Sequence, residues 1–271
     1  MNVREFEQVL FERFPRQDAE TCDHVGLAVG DPQAPVRGVS VALDATAQTI
    51  RQAAQMGSNV LLTHHPVYIK APESFTPEGA TNPIGSAVVY QAARLGVSVI
   101  SLHTNLDRSR TARELLPGIL GMNAASSLEY PAEPEKTGLG AVCDVEPIRV
   151  RDLAKRCAIS FGTHPRVWGD HDQTLTRIAF LGGSLGSFGE DALSAGCDCV
   201  VTGEAGYHAC LDLACRGAAI ILLGHDRSEE PFVDILARAA IEVGVEPRLV
   251  HKIEGSKHWY TVCDDREGAR S

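Results

Sequence analysis

The sequence lacks any long apolar run, and this absence excludes a simple membrane-spanning helix. No apolar run approaches the ~20 residues that such a helix needs. The first seven residues include Arg4, Glu5 and Glu7, where a secretory signal peptide requires an apolar stretch. We therefore expect a cytoplasmic protein with no membrane partner. In that compartment the eight cysteines are expected to remain reduced thiols.

The sequence is also poor in positive charge, with 25 Lys and Arg residues against 35 Asp and Glu residues and a formal net charge of −10. A protein that binds the nucleic-acid backbone needs a basic face that releases counterions, so nucleic acid is not an expected partner. A small anionic substrate remains compatible with this charge, because a few local cations are enough to bind one.

Zinc-knuckle spacing is absent from the cysteine pairs that lie closest together. Cys197 and Cys199 are two positions apart in a predicted strand, and Cys210 and Cys215 are five apart in a predicted helix. We interpret these cysteines as small buried apolar residues. Polar low-complexity tracts are missing too, and 44% of the residues are apolar, so the chain is expected to fold throughout.

Short apolar runs alternate with longer segments of helical periodicity, which is the pattern of βα units. The sequence therefore predicts an α/β fold with mainly parallel central sheets. The predicted strands are 39–43, 60–63, 98–102, 177–181, 199–202 and 219–223, and the predicted helices are 46–55, 84–95, 189–195, 207–216 and 231–243.

The chain resembles itself across its two halves. Residues 53–65 (AAQMGSNVLLTHH) match residues 192–204 (ALSAGCDCVVTGE), and the units before and after them match in the same order. Similar βα units also arise by chance, but three units in one order favour duplication. We predict two related α/β domains: 1–128 with the HHP and HTNLD motifs, and 129–271 with the GGS, TGE and GHxxxE motifs.

The second half has segments without a match in the first. A strand near 140–145, a helix near 149–158 and a strand near 166–168 form a predicted βαβ addition. The tail at 246–263 is typical of one or two edge strands, and either sheet, including that of the first half, can receive them.

Histidines and carboxylates follow three predicted strands, at the point where each strand ends. The segments are THHP at 63–66, HTNLD at 103–107 and GHDRSE at 224–229. Ligands of parallel sheets bind beyond the carboxyl ends of the strands, so these side chains are expected to converge. Adjacent histidines in a regular strand face opposite sides, and Pro66 indicates a turn that lets both reach one site.

Imidazole together with carboxylate is a ligand set for Zn, Fe or Mn, and a shared carboxylate brings two ions within ~3.5–4 Å of each other. A single histidine is more often a hydrogen-bonded structural residue than a ligand. A cluster of ionisable groups at three strand ends is costly to bury without a ligand, which favours a metal site.

Seven motifs occur along the chain in a recognisable order. They are DHVGLAVGD (23–31), ALDAT (42–46), LLTHHPVY (61–68), SLHTNLD (101–107), FLGGSLGS (180–187), TGEAGYH (202–208) and GHDRSE (224–229). Together they resemble the Ngg-one-interacting-factor-three-like dinuclear metal family, often labelled GTP cyclohydrolase one type two homologues. The resemblance covers nearly the whole chain, and the length is that of the short form.

This resemblance implies a dinuclear metal centre facing a cavity and a toroidal homohexamer. It implies a hydrolase or cyclohydrolase acting on a nucleotide-like or small phosphorylated substrate. His103 of the HTNLD motif would neighbour the site. Carried over residue by residue, the ligands of two divalent ions would be His64, His65, Asp107, His225 and Glu229.

The sequence departs from the family pattern beside two motifs. Cys22 and His24 stand where the family has tryptophan and asparagine, and Asp226 and Arg227 stand where it has tyrosine and a small residue. Every proposed ligand is nevertheless present. The departures concern contacts to a substrate.

Several residues near the motifs are candidates to bind an anionic substrate. Three glycines could let backbone N–H groups approach an anion, although a tight βα turn is the alternative interpretation. The candidate cations are Lys70, Arg108, Arg110 and Arg227, and the glycines are Gly182, Gly183 and Gly186.

A second hypothesis is a non-catalytic, metal-binding oligomeric scaffold or regulatory protein. The sequence contains no nucleophile and base pair that is independent of the metal ligands, so catalysis does not follow from the motifs alone.

Three carboxylates follow His225, and helical geometry distinguishes them. If the chain is helical from His225, a residue four positions on lies about 40° from it and one five positions on lies about 140° away. The sequence therefore predicts that Glu229 shares a metal with His225 and that Glu230 faces elsewhere. Asp226 is predicted to cap the helix N-terminus.

Overall fold

The structure is a computed structural model that describes residues 1–77, 83–254 and 259–260. The strands are β1 (Gly26–Val29), β2 (Val39–Ala42), β3 (Val60–Thr63), β4 (Ser98–Ser101), β5 (Ala141–Arg149), β6 (Arg166–Trp168), β7 (Thr174–Ser184), β8 (Cys199–Glu204), β9 (Ala219–Leu222) and β10 (Val250–Lys252). The helices are α1 (Val3–Arg13), α2 (Ala47–Gln55), α3 (Pro83–Leu95), α4 (Thr104–Asp107), α5 (Arg110–Ile119), α6 (Val150–Ser160), α7 (Phe188–Ser194), α8 (Tyr207–Cys215), α9 (His225–Glu229) and α10 (Phe232–Glu242).

Two five-stranded sheets form the framework, in the orders β1-β4-β3-β2-β10 and β5-β7-β8-β9-β6. Strands β2, β3 and β4 run parallel, as do β7, β8 and β9. The edge pairs β1-β4, β5-β7 and β6-β9 are antiparallel. The predicted α/β class with mainly parallel sheets is confirmed. Among the described residues, no helix has both the length and the apolar character needed to cross a bilayer.

The central strands are rich in apolar residues because both of their faces are covered. Every residue of β2, β3, β4 and β9 is buried, which is the pattern of parallel strands with helices on each side. The helix after β2 begins with a capping box in which Thr46 and Thr49 satisfy each other's backbone N–H groups. Strand and helix boundaries therefore follow local signals in this part of the chain.

The two sheets share an arrangement that the sequence similarity between the two halves of the chain did not reveal. Strand β6 lies antiparallel beside β9, just as β1 lies antiparallel beside β4. The second half was predicted to carry a βαβ addition that the first half lacks. This prediction is wrong for β6, because β6 occupies the position in the second sheet that β1 occupies in the first. Strand β1 and helix α5 were not predicted. Pro117 and Gly118 lie inside α5 and weaken its helical signal.

The C-terminal segment returns to the first sheet, where β10 pairs in parallel with β2. Helix α10 contacts β2, β3 and β10, so the second half of the chain packs directly on the first sheet. The rest of the predicted tail strands, beyond 254 except for 259–260, lies outside the described residues. The domain boundary near residue 128 stays a prediction.

Cysteine burial follows the expectation in part. Cys197, Cys199 and Cys210 are buried free thiols, whereas Cys215 is exposed. Burial raises the pKa of the Cys197 thiol to about 11, so this thiol is neutral at physiological pH. Cys215 contradicts the buried interpretation because it lies in the last turn of α8, on the face away from the sheet core.

Candidate metal centre

Two adjacent histidines follow β3 at a bend in the backbone. The hydroxyl of Thr63 donates to the carbonyl of His65 over 2.8 Å, and the His65 amide donates to Leu43 O at 3.0 Å. The bend predicted at this point turns both imidazoles to one side, with the ring centroids of His64 and His65 5.1 Å apart. Both rings therefore reach one site.

The remaining three predicted ligands come from two short helices that follow strands. Asp107 is the last residue of α4, while His225 and Glu229 are the first and last residues of α9. His64 Nε2 lies 3.5 Å from Asp107 Oδ1 and 3.7 Å from Glu229 Oε1. The structure thus brings all five residues together, although their role as ligands stays a prediction.

Glu229 lies between two groups of donors. Its Oε1 faces His64 Nε2 at 3.7 Å, while its Oε2 lies 2.9 Å from His65 Nε2 and 3.1 Å from His225 Nε2. The last distance joins residues four apart, as the predicted helical register requires. One carboxylate therefore connects the ligands of the first half with the ligand of the second half.

The histidines of the site share one orientation. Each has its Nδ1 within hydrogen-bond distance of an oxygen. For His64 this oxygen is a backbone carbonyl, which can only accept, so Nδ1 donates. Histidine ligands of metals usually show this arrangement, because it fixes the ring and leaves Nε2 for the ion. The Nδ1 partners are Leu102 O for His64 (3.0 Å), Asp44 for His65 (2.8 Å), Glu204 for His225 (3.1 Å) and Asp23 for His103 (2.9 Å).

Two buried atoms at the centre have no hydrogen-bond partner. They are His64 Nε2 and Asp107 Oδ1. Burial raises the pKa of the Asp107 carboxyl, and buried polar groups without partners are costly. Two donors about 2.0–2.1 Å from a tetrahedral ion stand about 3.3 Å apart, close to the observed 3.5 Å. This donor set fits a divalent metal ion.

The carboxylates and imidazoles of the site shift one another's pKa values. Burial lowers the pKa of His65, but Asp44 and Glu229 outweigh it and raise the pKa to about 10. The hydrogen bond to Glu229 raises the pKa of His225 to about 9. Burial acts to raise the pKa of Glu229, yet its contacts with His225, His64 and His65 hold that pKa well below its usual range. A bound cation would replace these protons.

The GGS and TGE motifs make room for the site. Gly183 has φ +61°, and a Cβ there would lie 2.3 Å from Glu229 Oε1. A Cβ on Gly203 would lie 2.9 Å from His225 Cα. The N–H of Gly183 donates to Ser228 Oγ at 2.9 Å. It is therefore not available to an anion, and Gly183 and Gly203 instead allow the close approach of α9.

The sequence analysis did not predict the three carboxylates that orient histidines of the site, which are Asp23, Asp44 and Glu204. Asp44 lies two residues after the end of β2 and Glu204 is the last residue of β8, at the same sheet edges as the candidate ligands, so their position was a usable signal. Asp23 precedes β1 and also accepts from the amide and hydroxyl of Thr104. Its contacts with His103 and Thr104 keep its pKa well below the usual range, against the effect of burial.

Two of the four predicted substrate cations are already paired with carboxylates. Arg108 contacts Glu20 and Glu129, and Arg110 lies on the surface beside Glu114.

Asp226 lies in the first turn of α9 but makes no side-chain cap. Instead its carboxylate accepts from the indole N–H of Trp259 at 3.2 Å. The predicted capping role of Asp226 is therefore wrong, because the returning tail supplies a competing donor.

Comparison with known proteins supports the resemblance found in the motifs. Residues 1–251 match the family model of Duf34/NIF3 (NGG1p interacting factor 3). The GTP cyclohydrolase 1 type 2 homolog of Clostridium acetobutylicum is 29% identical over 262 residues, covering 95% of this chain and 91% of that protein. The homolog of the same name from Lactococcus lactis is 30% identical over 268 residues, covering 97% and 100%.

Solved structures share the fold. A Staphylococcus aureus hypothetical protein has a TM-score of 0.84 at 22% identity, covering 97% of this chain and 99% of that chain. The Bacillus cereus protein related to NIF3 also has a TM-score of 0.84, at 18% identity and with the same coverage. Because the family model matches nearly the whole chain, this protein belongs to the Duf34/NIF3 family.

Proposed function

We propose that this protein binds two divalent metal ions and acts as a metal-dependent hydrolase or cyclohydrolase. The observation that carries the proposal is the pair of buried atoms His64 Nε2 and Asp107 Oδ1, 3.5 Å apart and without hydrogen-bond partners. Zn, Fe and Mn all suit a set of imidazoles and carboxylates. The proposed ligands are His64, His65, Asp107, His225 and Glu229.

The donor geometry supports two ions and a bridging role for Glu229. His64, whose Nε2 also lies 3.5 Å from Asp107 Oδ1, faces its Oε1, while His65 and His225 face its Oε2. A carboxylate shared in this way is how two ions come within ~3.5–4 Å of each other. The proposal therefore assigns Glu229 to both ions.

The neighbouring residues support the chemistry of such a centre. Two bound ions would supply Lewis acidity and a coordinated water of lowered pKa. Asp44 and Glu204 hold the rings of His65 and His225 in place through Nδ1. His103, held by Asp23 and lining the adjoining cavity, is positioned to accept a proton from a reacting molecule. The relatives' printed name makes ring-opening of a purine nucleotide one reaction to test.

Elemental analysis and a turnover screen test this proposal. Protein purified without chelator is expected to hold up to two ions per chain, and Asp107→Asn is expected to hold fewer. The screen offers GTP and small phosphomonoesters, and the expected product disappears on chelation and returns on metal addition. Bound metal without turnover would instead support the scaffold hypothesis. Absence of bound metal after reconstitution would refute the metal centre itself.

We further propose that the protein assembles as a homohexamer. This proposal depends on the family resemblance of the motifs. Light scattering at micromolar concentration measures the mass directly, and a monomer there would contradict the proposed assembly.

A further inference from the structure

A cavity of about 310 Å³ adjoins the candidate metal centre. Asp107, His225 and Glu229 contribute to its wall, together with His103 and Arg113 of α5. Much of the remaining wall is apolar, and it includes Leu116, Leu139, Phe180, Leu181 and Phe232. A ligand in this cavity would contact the metal ligands and Arg113 at once.

Arg113 is a buried cation whose charge is not matched by a carboxylate. The residue is only 6% exposed to solvent. Nη1 donates to the carbonyls of Pro134 at 2.9 Å and Lys136 at 3.2 Å, but Nε has no hydrogen-bond partner. Within the described ranges of the chain, Arg113 forms no ion pair. A buried charge without a counter-charge is costly, so an anionic partner is expected.

The neighbouring arginines show that this arrangement is not general. Arg108, at the end of α4, is paired with both Glu20 and Glu129. Arg110, at the start of α5, lies in solvent beside Glu114 and Glu135. Of these three arginines, the one that lines the cavity is the one without a carboxylate.

We propose that Arg113 binds the anionic group of a small substrate whose apolar body fills the cavity. The substrate class is therefore a small carboxylate or phosphate monoester with an apolar portion, placed against the metal centre; this reactive role depends on the function proposed above. A nucleoside triphosphate is disfavoured because the cavity is at the lower end of the ~300–1,000 Å³ typical of ligand pockets.

Calorimetry with defined probes tests the proposal on protein with known metal content. Benzoate and phenyl phosphate are the anionic probes, benzamide is the uncharged analogue of benzoate, and GTP is the large anion. The wild type is expected to bind at least one anionic probe more tightly than benzamide and GTP. Loss of a hydrogen bond to a charged group typically costs about 10- to 150-fold in affinity, so Arg113→Met is expected to weaken that probe at least tenfold.

Two variants separate charge from folding. Arg113→Lys keeps the positive charge and is expected to recover part of the affinity. Arg110→Met removes a cation from the same helix at an exposed position and is expected to bind the probes like the wild type. Equal binding by the wild type and a folded Arg113→Met, or tighter binding of GTP than of both small anions, would overturn the proposal.

Crystals of the wild type provide a second measurement that does not depend on a variant. They are soaked with 4-bromobenzoate or 4-bromophenyl phosphate, and the bromine is located by anomalous scattering. The expected result is an acid group within hydrogen-bond distance of Arg113, and the better-ordered probe identifies carboxylate or phosphate as the preferred group. An acid group bound elsewhere, or no probe bound, would overturn the proposal. Elemental analysis of the same protein tests the metal centre separately, so the two failures are distinguishable.

Discussion

The two sheets repeat one framework but use equivalent strand ends in different ways. At the end of β3 the chain reads Thr63, His64 and His65, and both imidazoles face the site. At the end of the equivalent strand β8 it reads Thr202, Gly203 and Glu204. There the glycine leaves space for α9, and the carboxylate orients His225. The first half supplies two imidazoles at the end of β3. At the equivalent strand end the second half supplies a glycine, which leaves space for α9, and a carboxylate that orients His225.

The halves also differ in how deeply their histidines lie. His64 is fully buried and the side chain of His65 is 22% exposed, whereas that of His225 is 40% exposed. Glu229 belongs to the second half but reaches the donors of both. A duplicated fold can therefore build one asymmetric site, provided that one carboxylate links the two contributions.

The largest effect is expected from breaking that link. Glu229→Gln removes the negative charge that faces three imidazoles and is expected to reduce bound metal to less than one ion per chain. Glu230→Gln is the matched control, because Glu230 lies outside the cluster, and it should retain the metal content of the wild type. Elemental analysis of both variants checks this. Equal losses, or a loss only in Glu230→Gln, would show that the register of α9 is wrong.

A comparable loss is expected when the space provided by the second half is filled. Gly183→Ala introduces a Cβ 2.3 Å from Glu229 Oε1, so the carboxylate must move and bound metal should fall. The left-handed backbone adds about 1–2 kcal/mol of destabilisation.

Gly186→Ala is the control for this substitution. Its φ is +53°, but a Cβ there meets no atom within 4 Å. It should lower the melting temperature similarly while leaving the metal content unchanged. Equal metal content in both alanine variants would contradict the steric role of Gly183.

A smaller effect is expected from removing the carboxylates that orient the histidines. Losing such a partner typically costs about 10- to 100-fold in metal affinity. Asp44→Asn should cost more than Glu204→Gln, because the His65 contact is more buried and shorter than the His225 contact. Competition with a chelator of known affinity measures both. The reverse order would show that burial does not control the contribution of each half.

The smallest effect is the pH dependence of stability in the metal-free protein. Folding raises the pKa of His65 to about 10 and that of His225 to about 9, from an ordinary value of 6.5. Protonated, these groups stabilise the fold; this contribution is complete below about pH 6.5 and is lost as pH rises through 9 and 10. The melting temperature of the chelated protein should therefore fall across this range.

The metal-loaded protein is the control, because bound ions replace the protons. Its melting temperature should fall less between pH 6.5 and 10 than that of the chelated protein, and metal binding at pH 7 should release protons to the buffer. Calorimetry in buffers of different ionisation enthalpy detects that release. Parallel curves for the two forms would contradict a shared site for protons and metal.

The sequence by itself determined the central strands and the chemistry of the site. Strand β3 has the predicted bounds 60–63, because a strand covered on both faces consists mostly of apolar residues and is therefore visible in the sequence. The five candidate ligands followed from strand ends and family motifs, since the carboxyl ends of parallel strands share one sheet edge.

Strand β7 shows where local signals end. It extends from Thr174 to Ser184, beyond the predicted 177–181, because β5 and β8 pair with its ends. Strands β5 and β8 are separate segments of the chain, so the apolar run at 177–181 does not by itself indicate how far β7 pairs with them.

Only the tertiary structure decided how the site is supported. Asp44 and Glu204 became partners of His65 and His225 through contacts across 21 residues each, and no local pattern encodes such a pairing. The same holds for Arg113, whose lack of a carboxylate depends on where α4, α5 and the segment around Pro134 pack. Residue types and strand ends are local properties, whereas hydrogen-bond partners and cavities arise from packing between distant segments.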